Sequence, residues 1–200
     1  MKKRAFTILR MACLLVLTSA VTPVFADTVT DRYDETFRKY SKRFFGPGYD
    51  WRIFKAQAMA ESNLSMKARS WVGARGLMQL MPRTFTEIQS KNPEFVSIDD
   101  PEWNIAAGIY YDARLWNQWG NQSLPDDRRY FMFGSYNAGR MTLLRAQEVA
   151  RTKNLNHTAW NSIRVIAPEV RNWRHGETLT YVEKIDQHLQ RMNQDGRVLK

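Results

Sequence analysis

Apolar residues in this 200-residue chain recur at intervals of three and four, and Gly, Pro or Asn interrupts the pattern before it runs far. That restricts the fold to short helices joined by tight turns. The alternating pattern of a half-buried strand is nearly absent, so the expected class is mainly α. Tyr33, Phe37, Tyr40 and Phe44 stripe a first helix over 31–45, closed by Gly46-Pro47-Gly48. Asp50 is placed to cap a second, with Ile53, Ala56, Ala60 and Leu64 on one face. A third is expected over 76–88 despite Pro82, and a fourth over 105–119 after the Asp99-Asp100-Pro101 turn. Two more follow over 126–134 and 141–152, broken by Gly134 and Gly139. Trp160 to Ile166 is short and stopped by Pro168, and a last helix spans about 178–192.

The formal charge of +10 invites a polyanionic partner, but part of it belongs to an export signal. Lys2, Lys3 and Arg4 precede an apolar run from Met11 to Val21 and then Val24-Phe25-Ala26. This is the order of a cleaved signal peptide, with cleavage expected after Ala26. The run is short for a membrane span of roughly 20 residues, which leaves an uncleaved anchor as the alternative. Cleavage removes four basic residues, including Arg10, and no acidic one, so the mature charge is near +6. The single Cys, Cys13, leaves with the leader; it lies too early in the apolar run for a lipoprotein signal. No disulfide, and no metal-ligand spacing among the three His, is expected. A nucleic-acid binder would need a clustered basic face or a binding motif, and neither is present. A modestly positive exported chain suits anionic surfaces.

The informative stretch is AMAESNLSMKARSWVGARGLMQLMPRT, residues 58–84. Glu61 lies about 80° around the helical wheel from Ile53, on the flank of the buried stripe. A carboxyl held there is partly desolvated, which raises its pKa toward the range of a general acid working near neutral pH. Read alone, a surface Glu at a helix end, paired with Lys55 or Arg69, is the simpler reading.

Its surroundings narrow the choice. Glu61-Ser62, then Ser70 and Gly73-Ala74-Arg75-Gly76-Leu77-Met78-Gln79-Leu80-Met81-Pro82, resemble the goose-type-lysozyme-like catalytic domain of soluble lytic transglycosylases. Asn104-Ile105 with Gly108 and Tyr111, Ser135-Tyr136-Asn137-Ala138-Gly139, and Glu177-Thr178 with Tyr181-Val182 resemble its later blocks in the same order. Within the family, Asp50-Trp51-Arg52, Ser70-Trp71-Val72-Gly73 and residues 156–160 look most like the catalytic domain of membrane-bound lytic murein transglycosylase F. Ser65-Met66, Phe85, Ser135 and Arg140 depart from the family pattern without removing a polar group the chemistry needs.

The resemblance implies a lysozyme-like helical domain with a substrate groove, over 49–192, after a helical extension at 27–48 and before a tail at 193–200. It also implies cleavage of the β-1,4 bond between N-acetylmuramic acid and N-acetylglucosamine in peptidoglycan, with 1,6-anhydromuramyl ends and no cofactor or metal. Glu61 would act as acid and then base. Ser70, Met78, Gln79, Tyr136, Asn137, Glu177 and Tyr181 would contact substrate, Met78 as an apolar groove wall. Gly73, Gly76 and Gly139 would allow tight turns. Expected partners are glycan strands, with cell-wall, secretion or conjugation machinery as further candidates, and the chain is expected to be a periplasmic monomer. A hydrolytic muramidase and a non-catalytic peptidoglycan-binding protein are the alternatives. Of the seven Trp, Trp51 is expected to pack, and the sequence does not sort the rest between core and sugar stacking.

Overall fold

A computed structural model describes residues 31–120 and 127–198, with side chains to 194; the expected leader, Cys13 and Asp126 lie outside this range. The described residues form helices α1 (Asp34–Phe45), α2 (Arg52–Ser62), α3 (Pro82–Gln89), α4 (Pro101–Gln118), α5 (Arg128–Ala138), α6 (Arg140–Thr152), α7 (Trp160–Ile166) and α8 (His175–Val198). A single 3₁₀ turn at Ala167–Glu169 follows α7. No strand forms among these residues; two isolated bridges join Arg69 to Arg75 and Arg75 to Leu80.

Helix α2 lies against α8, α4 packs between α1 and α5, and α5 also meets α6 and α8. Phe54, Leu77, Ile105, Ile109, Phe131, Phe133, Ile163 and Ile185 fill the core between them. Helix α1 is part of this body rather than an extension of it: Phe37 and Tyr40 are core residues, and buried Lys55 of α2 donates to Asp34. At the other end, α8 continues through 193–198, where a tail was expected.

Several helix boundaries differ from expectation, four of them for an evident local reason. Residues 76–81 are not helical: Arg75 and Leu80 exchange two backbone hydrogen bonds (2.9 and 3.0 Å), closing a hairpin around Gly76 (φ +76°) and Gln79 (φ +45°). Pro82, which has no N–H to leave unpaired, instead opens α3. Helix α4 begins earlier than Ile105 because Asp100 accepts from the Glu102 and Trp103 amides (2.8 and 3.2 Å), with Pro101 in the first turn. Helix α5 passes through Gly134, whose lack of a side chain admits the Trp160 indole; a Cβ there would sit 2.9 Å from the ring. Helix α2 stops at Ser62 because Asn63 and Leu64 take left-handed backbone (φ +52° and +59°), so Leu64 is buried from a turn. Asp50 accepts from the Arg52 amide at 3.1 Å and also clasps the Arg52 guanidinium, both bonds 2.8 Å.

The tryptophans sort cleanly. Trp119, Trp160 and Trp173 are buried, and Trp51, Trp103 and Trp116 pack half-buried against the core. Trp71 is 89% exposed. Two departures from the family pattern also find a reason: Ser135 Oγ accepts from the Trp119 indole N–H at 2.9 Å, and Phe85 is buried in the core.

Candidate active site

Glu61 sits in the last turn of α2, on the stripe Phe54, Gln57, Ala58 and Glu61 that meets α8 and, through Gln57, reaches Asp112 of α4. The residue is only partly open to solvent. Neither cation that might have made it an ordinary surface carboxylate reaches it: Lys55 is spent on Asp34, and Arg69 donates to Asp99 at 2.7 Å. Burial therefore dominates, and it raises the Glu61 carboxyl from its usual range to about 7, with Tyr181 drawing it partly back. The Tyr181 hydroxyl is buried and has no hydrogen bond of good geometry. It stands beside the carboxyl as a donor.

Tyr136 of α5 completes this cluster. Burial, reinforced by Glu61 and Asp112, holds its phenol well above the usual range, so it stays neutral. Its hydroxyl donates to the Met78 carbonyl at 2.8 Å, and its ring meets Tyr111 edge-on at 5.3 Å. Glu61, Tyr136 and Tyr181, three residues from distant parts of the chain, are thus brought together.

The hairpin over 75–80 forms the wall beside them. Ser62 Oγ donates to the Leu77 carbonyl at 2.8 Å, tying the hairpin to the end of α2. Asn104, fully buried at the start of α4, accepts from the Met78 amide (2.9 Å) and donates to the Arg75 and Ile98 carbonyls (3.1 and 2.9 Å). Gly76 is required here, since a Cβ would lie 2.4 Å from the Asn104 amide.

Several residues expected to touch substrate are engaged otherwise. The Met78 side chain is fully buried beneath Gly108, where a Cβ would come within 2.7 Å of it, so it supports the wall from behind rather than facing an open groove. Gln79 spends its amide on the Gly76 and Ala68 carbonyls (2.9 and 3.3 Å). Ser70 Oγ accepts from the Ala74 amide at 2.9 Å and so shapes the loop that carries Trp71. Asn137 accepts from Thr178 Oγ at 2.8 Å, and Thr178 accepts in turn from the Trp173 indole at 3.0 Å. Asn137 and Glu177 line one shallow hollow with Thr142 and Trp173, where exposed Glu177 pairs with Arg174 at 3.0 Å.

Sequence reasoning missed Gln57 and Asp112. Gln57 precedes Glu61 by one helical turn, and Asp112 follows Gly108 by one turn on the buried face of α4; both are fully buried. Polar residues at core-facing positions were the available signal. Among the described residues, no group of three His, Cys, Asp or Glu side chains is arranged to hold a metal ion. No described helix is long and apolar enough to cross a membrane.

Comparison with known proteins gives one family match, two relatives and two solved structures. Residues 36–159 match the family model for the transglycosylase SLT domain. Membrane-bound lytic murein transglycosylase F from Desulfosudis oleivorans is 31% identical over 134 residues, covering 67% of this chain and 28% of that protein. The same-named protein from Shewanella halifaxensis is 33% identical over 143 residues, covering 71% and 28%. The chain thus spans under a third of the length of these curated relatives. An inactive glutamate-to-glutamine mutant of lytic transglycosylase Slt from Pseudomonas aeruginosa superposes with a TM-score of 0.63 at 25% identity, covering 85% of this chain and 26% of that one. The 70 kDa soluble lytic transglycosylase of Escherichia coli gives 0.58 at 26% identity, covering 80% and 24%.

Proposed function

The chain belongs to the transglycosylase SLT domain family, and on that premise we propose that it cleaves the β-1,4 bond between N-acetylmuramic acid and N-acetylglucosamine in peptidoglycan, leaving 1,6-anhydromuramyl ends. The observation that carries this reading is Glu61 itself: a partly open carboxyl with a pKa near 7, among tyrosines and without a cationic partner. At neutral pH about half the molecules hold the proton a leaving group needs.

Glu61 donates that proton to the glycosidic oxygen as the C1–O bond breaks. Its carboxylate then takes the proton from the C6 hydroxyl of the same muramyl residue, whose oxygen bonds to C1. The anhydro ring closes, and Glu61 is protonated again. Tyr181, a neutral donor beside Glu61, is suited to stabilising the carboxylate between the two transfers. A retaining glycosidase would need a second carboxylate about 5 Å away as nucleophile, and an inverting one a more distant base for water. Asp112, the nearby acid, is fully buried and cannot meet a sugar. The intramolecular hydroxyl, at high effective concentration, makes a second carboxylate unnecessary.

The direct test is digestion of sacculi in oxygen-18 water. Ring closure leaves the new muramyl ends unlabelled, whereas label at C1 would identify a muramidase. Activity should fall as pH rises through about 7, because the acid must be protonated; a rate still rising at pH 8 would contradict the assignment of Glu61.

Trp71 offers an exposed ring on the Ser70–Ala74 loop for stacking on a sugar. Trp71→Ala should raise KM several-fold with little change in Tm, read by turbidity of sacculi and by thermal denaturation. Export through the leader would deliver the protein to the periplasm. The modest positive charge would favour adsorption to the wall.

A further inference from the structure

Beneath Glu61, two buried side chains have a hydrogen-bonding arrangement that only a proton completes. Gln57 Nε2 donates to Asp112 Oδ1 at 3.3 Å. The other two ends of the pair, Gln57 Oε1 and Asp112 Oδ2, are buried and have no partner. An amide presents one donor and one acceptor side by side, whereas a carboxylate presents two acceptors. One amide can therefore satisfy a carboxylate on one oxygen only, whichever way it is turned. A carboxylic acid matches it fully, because the added O–H donates to the amide oxygen while the second oxygen accepts from the amide nitrogen.

We propose that Asp112 is a neutral carboxylic acid joined to the Gln57 amide by a ring of two hydrogen bonds, and that it keeps the ground beneath Glu61 free of a second negative charge. One proton then pairs both orphaned atoms, where an ionised Asp112 would leave a buried charge and two bare acceptors. The groups around it agree. Gln57 and Glu61 face it from α2, Tyr136 from α5, Tyr181 from α8, Tyr111 from α4 itself and Tyr49 from the turn before α2. Arg114 acts on Tyr111 and Arg128 and Arg129 act on Tyr49, but no cation is among the groups that act on Asp112. Burial pushes the Asp112 carboxyl well above its usual range, against the opposing pull of the Gln57 hydrogen bond and with a smaller push from the Glu61 charge. Asp112 is a positioning residue: Glu61 titrates near neutral pH with an uncharged neighbour, so its pKa answers to burial. This second half rests on the reading of Glu61 as the acid; the proton on Asp112 does not.

Asp112→Asn is the informative variant, because two amides form the same ring with no proton to lose. Infrared difference spectra are recorded in a Glu61→Gln background, so that Glu61 contributes no band. At pH 7 a carboxylic-acid carbonyl band should be present and should vanish on adding Asp112→Asn; no such band at pH 7 overturns the proposal. If the double variant does not fold, persistence of the band from pH 5 to 7 in Glu61→Gln alone supports it, and loss by pH 7 overturns it. Stability gives an independent reading. Unfolded Asp ionises near 3.9, so a folded-state pKa above that value makes wild-type stability fall as pH rises past about 4. Asp112→Asn should therefore raise Tm at pH 7, with the gain disappearing near pH 4; a lower Tm at pH 7 than wild type contradicts the proposal. In catalysis, the alkaline midpoint of kcat/KM should stay in place in Asp112→Asn. A downward shift of a unit or more would mean that a charge had been removed from beside Glu61. Should Glu61→Gln prove fully active, the catalytic reading fails while the infrared result still decides the state of Asp112.

Discussion

Glu61→Gln is expected to reduce turnover of sacculi by about 10²–10⁴-fold, the usual contribution of a positioned acid–base group. It should also make the protein more stable. In wild type the folded Glu61 titrates near 7 and the unfolded one near 4.3. Its stability contribution is fully present below the unfolded pKa and is lost as pH rises through about 7. The glutamine carries no such penalty. The variant and wild type should melt together at pH 4 and diverge up to about pH 7, reaching a difference on the order of 3–4 kcal/mol above it. Thermal denaturation at pH 4, 7 and 8.5 reads this directly. Equal melting at all three would mean that Glu61 is not desolvated and that its catalytic tuning is absent.

Asn104→Ala should produce the largest loss of stability. It removes an acceptor for the Met78 amide and two donors, to the Arg75 and Ile98 carbonyls, all in the wall beside Glu61. At roughly 1 kcal/mol or more for each buried group left unpaired, the cost is about 3–4 kcal/mol. The Met78 carbonyl that receives Tyr136 belongs to the same hairpin, so activity should fall with stability. Urea denaturation should show a lower midpoint at unchanged slope. A cost below about 1 kcal/mol would show that the hairpin is held by Ser62 and its own backbone alone.

Much of this arrangement was legible in the sequence because it follows from local periodicity. The stripe from Tyr33 to Phe44 and the stop at Pro168 are local signals, and helices form where they predict. The boundaries that moved were set by contacts across the fold. Gly134 reads as a helix breaker until Trp160, 26 residues later, needs the space its missing side chain leaves. Residues 76–81 keep a helical apolar pattern, yet Ser62 and Asn104 hold them as a hairpin through backbone groups that no pattern registers. For the site, the position of Glu61 on the flank of a buried stripe predicted its desolvation, and that is the feature its raised pKa reflects. The roles of its neighbours were less visible. Met78, Gln79 and Asn137 occupy motif positions that suggest substrate contact, but each is engaged in shaping the walls, a distinction that depends on three-dimensional partners. Asp112 and Gln57 lie outside the motifs, and their signal in the sequence is a polar residue at an apolar register.

The central claim is that Glu61 alone drives an intramolecular ring closure. It is tested most directly by mass spectrometry of muropeptides released from sacculi by wild type and Glu61→Gln side by side. Wild type should release products ending in 1,6-anhydromuramic acid, one water lighter than the reducing ends of hydrolysis, and Glu61→Gln should release essentially none. Reducing ends from wild type, or anhydro ends from Glu61→Gln at the wild-type rate, would contradict the claim.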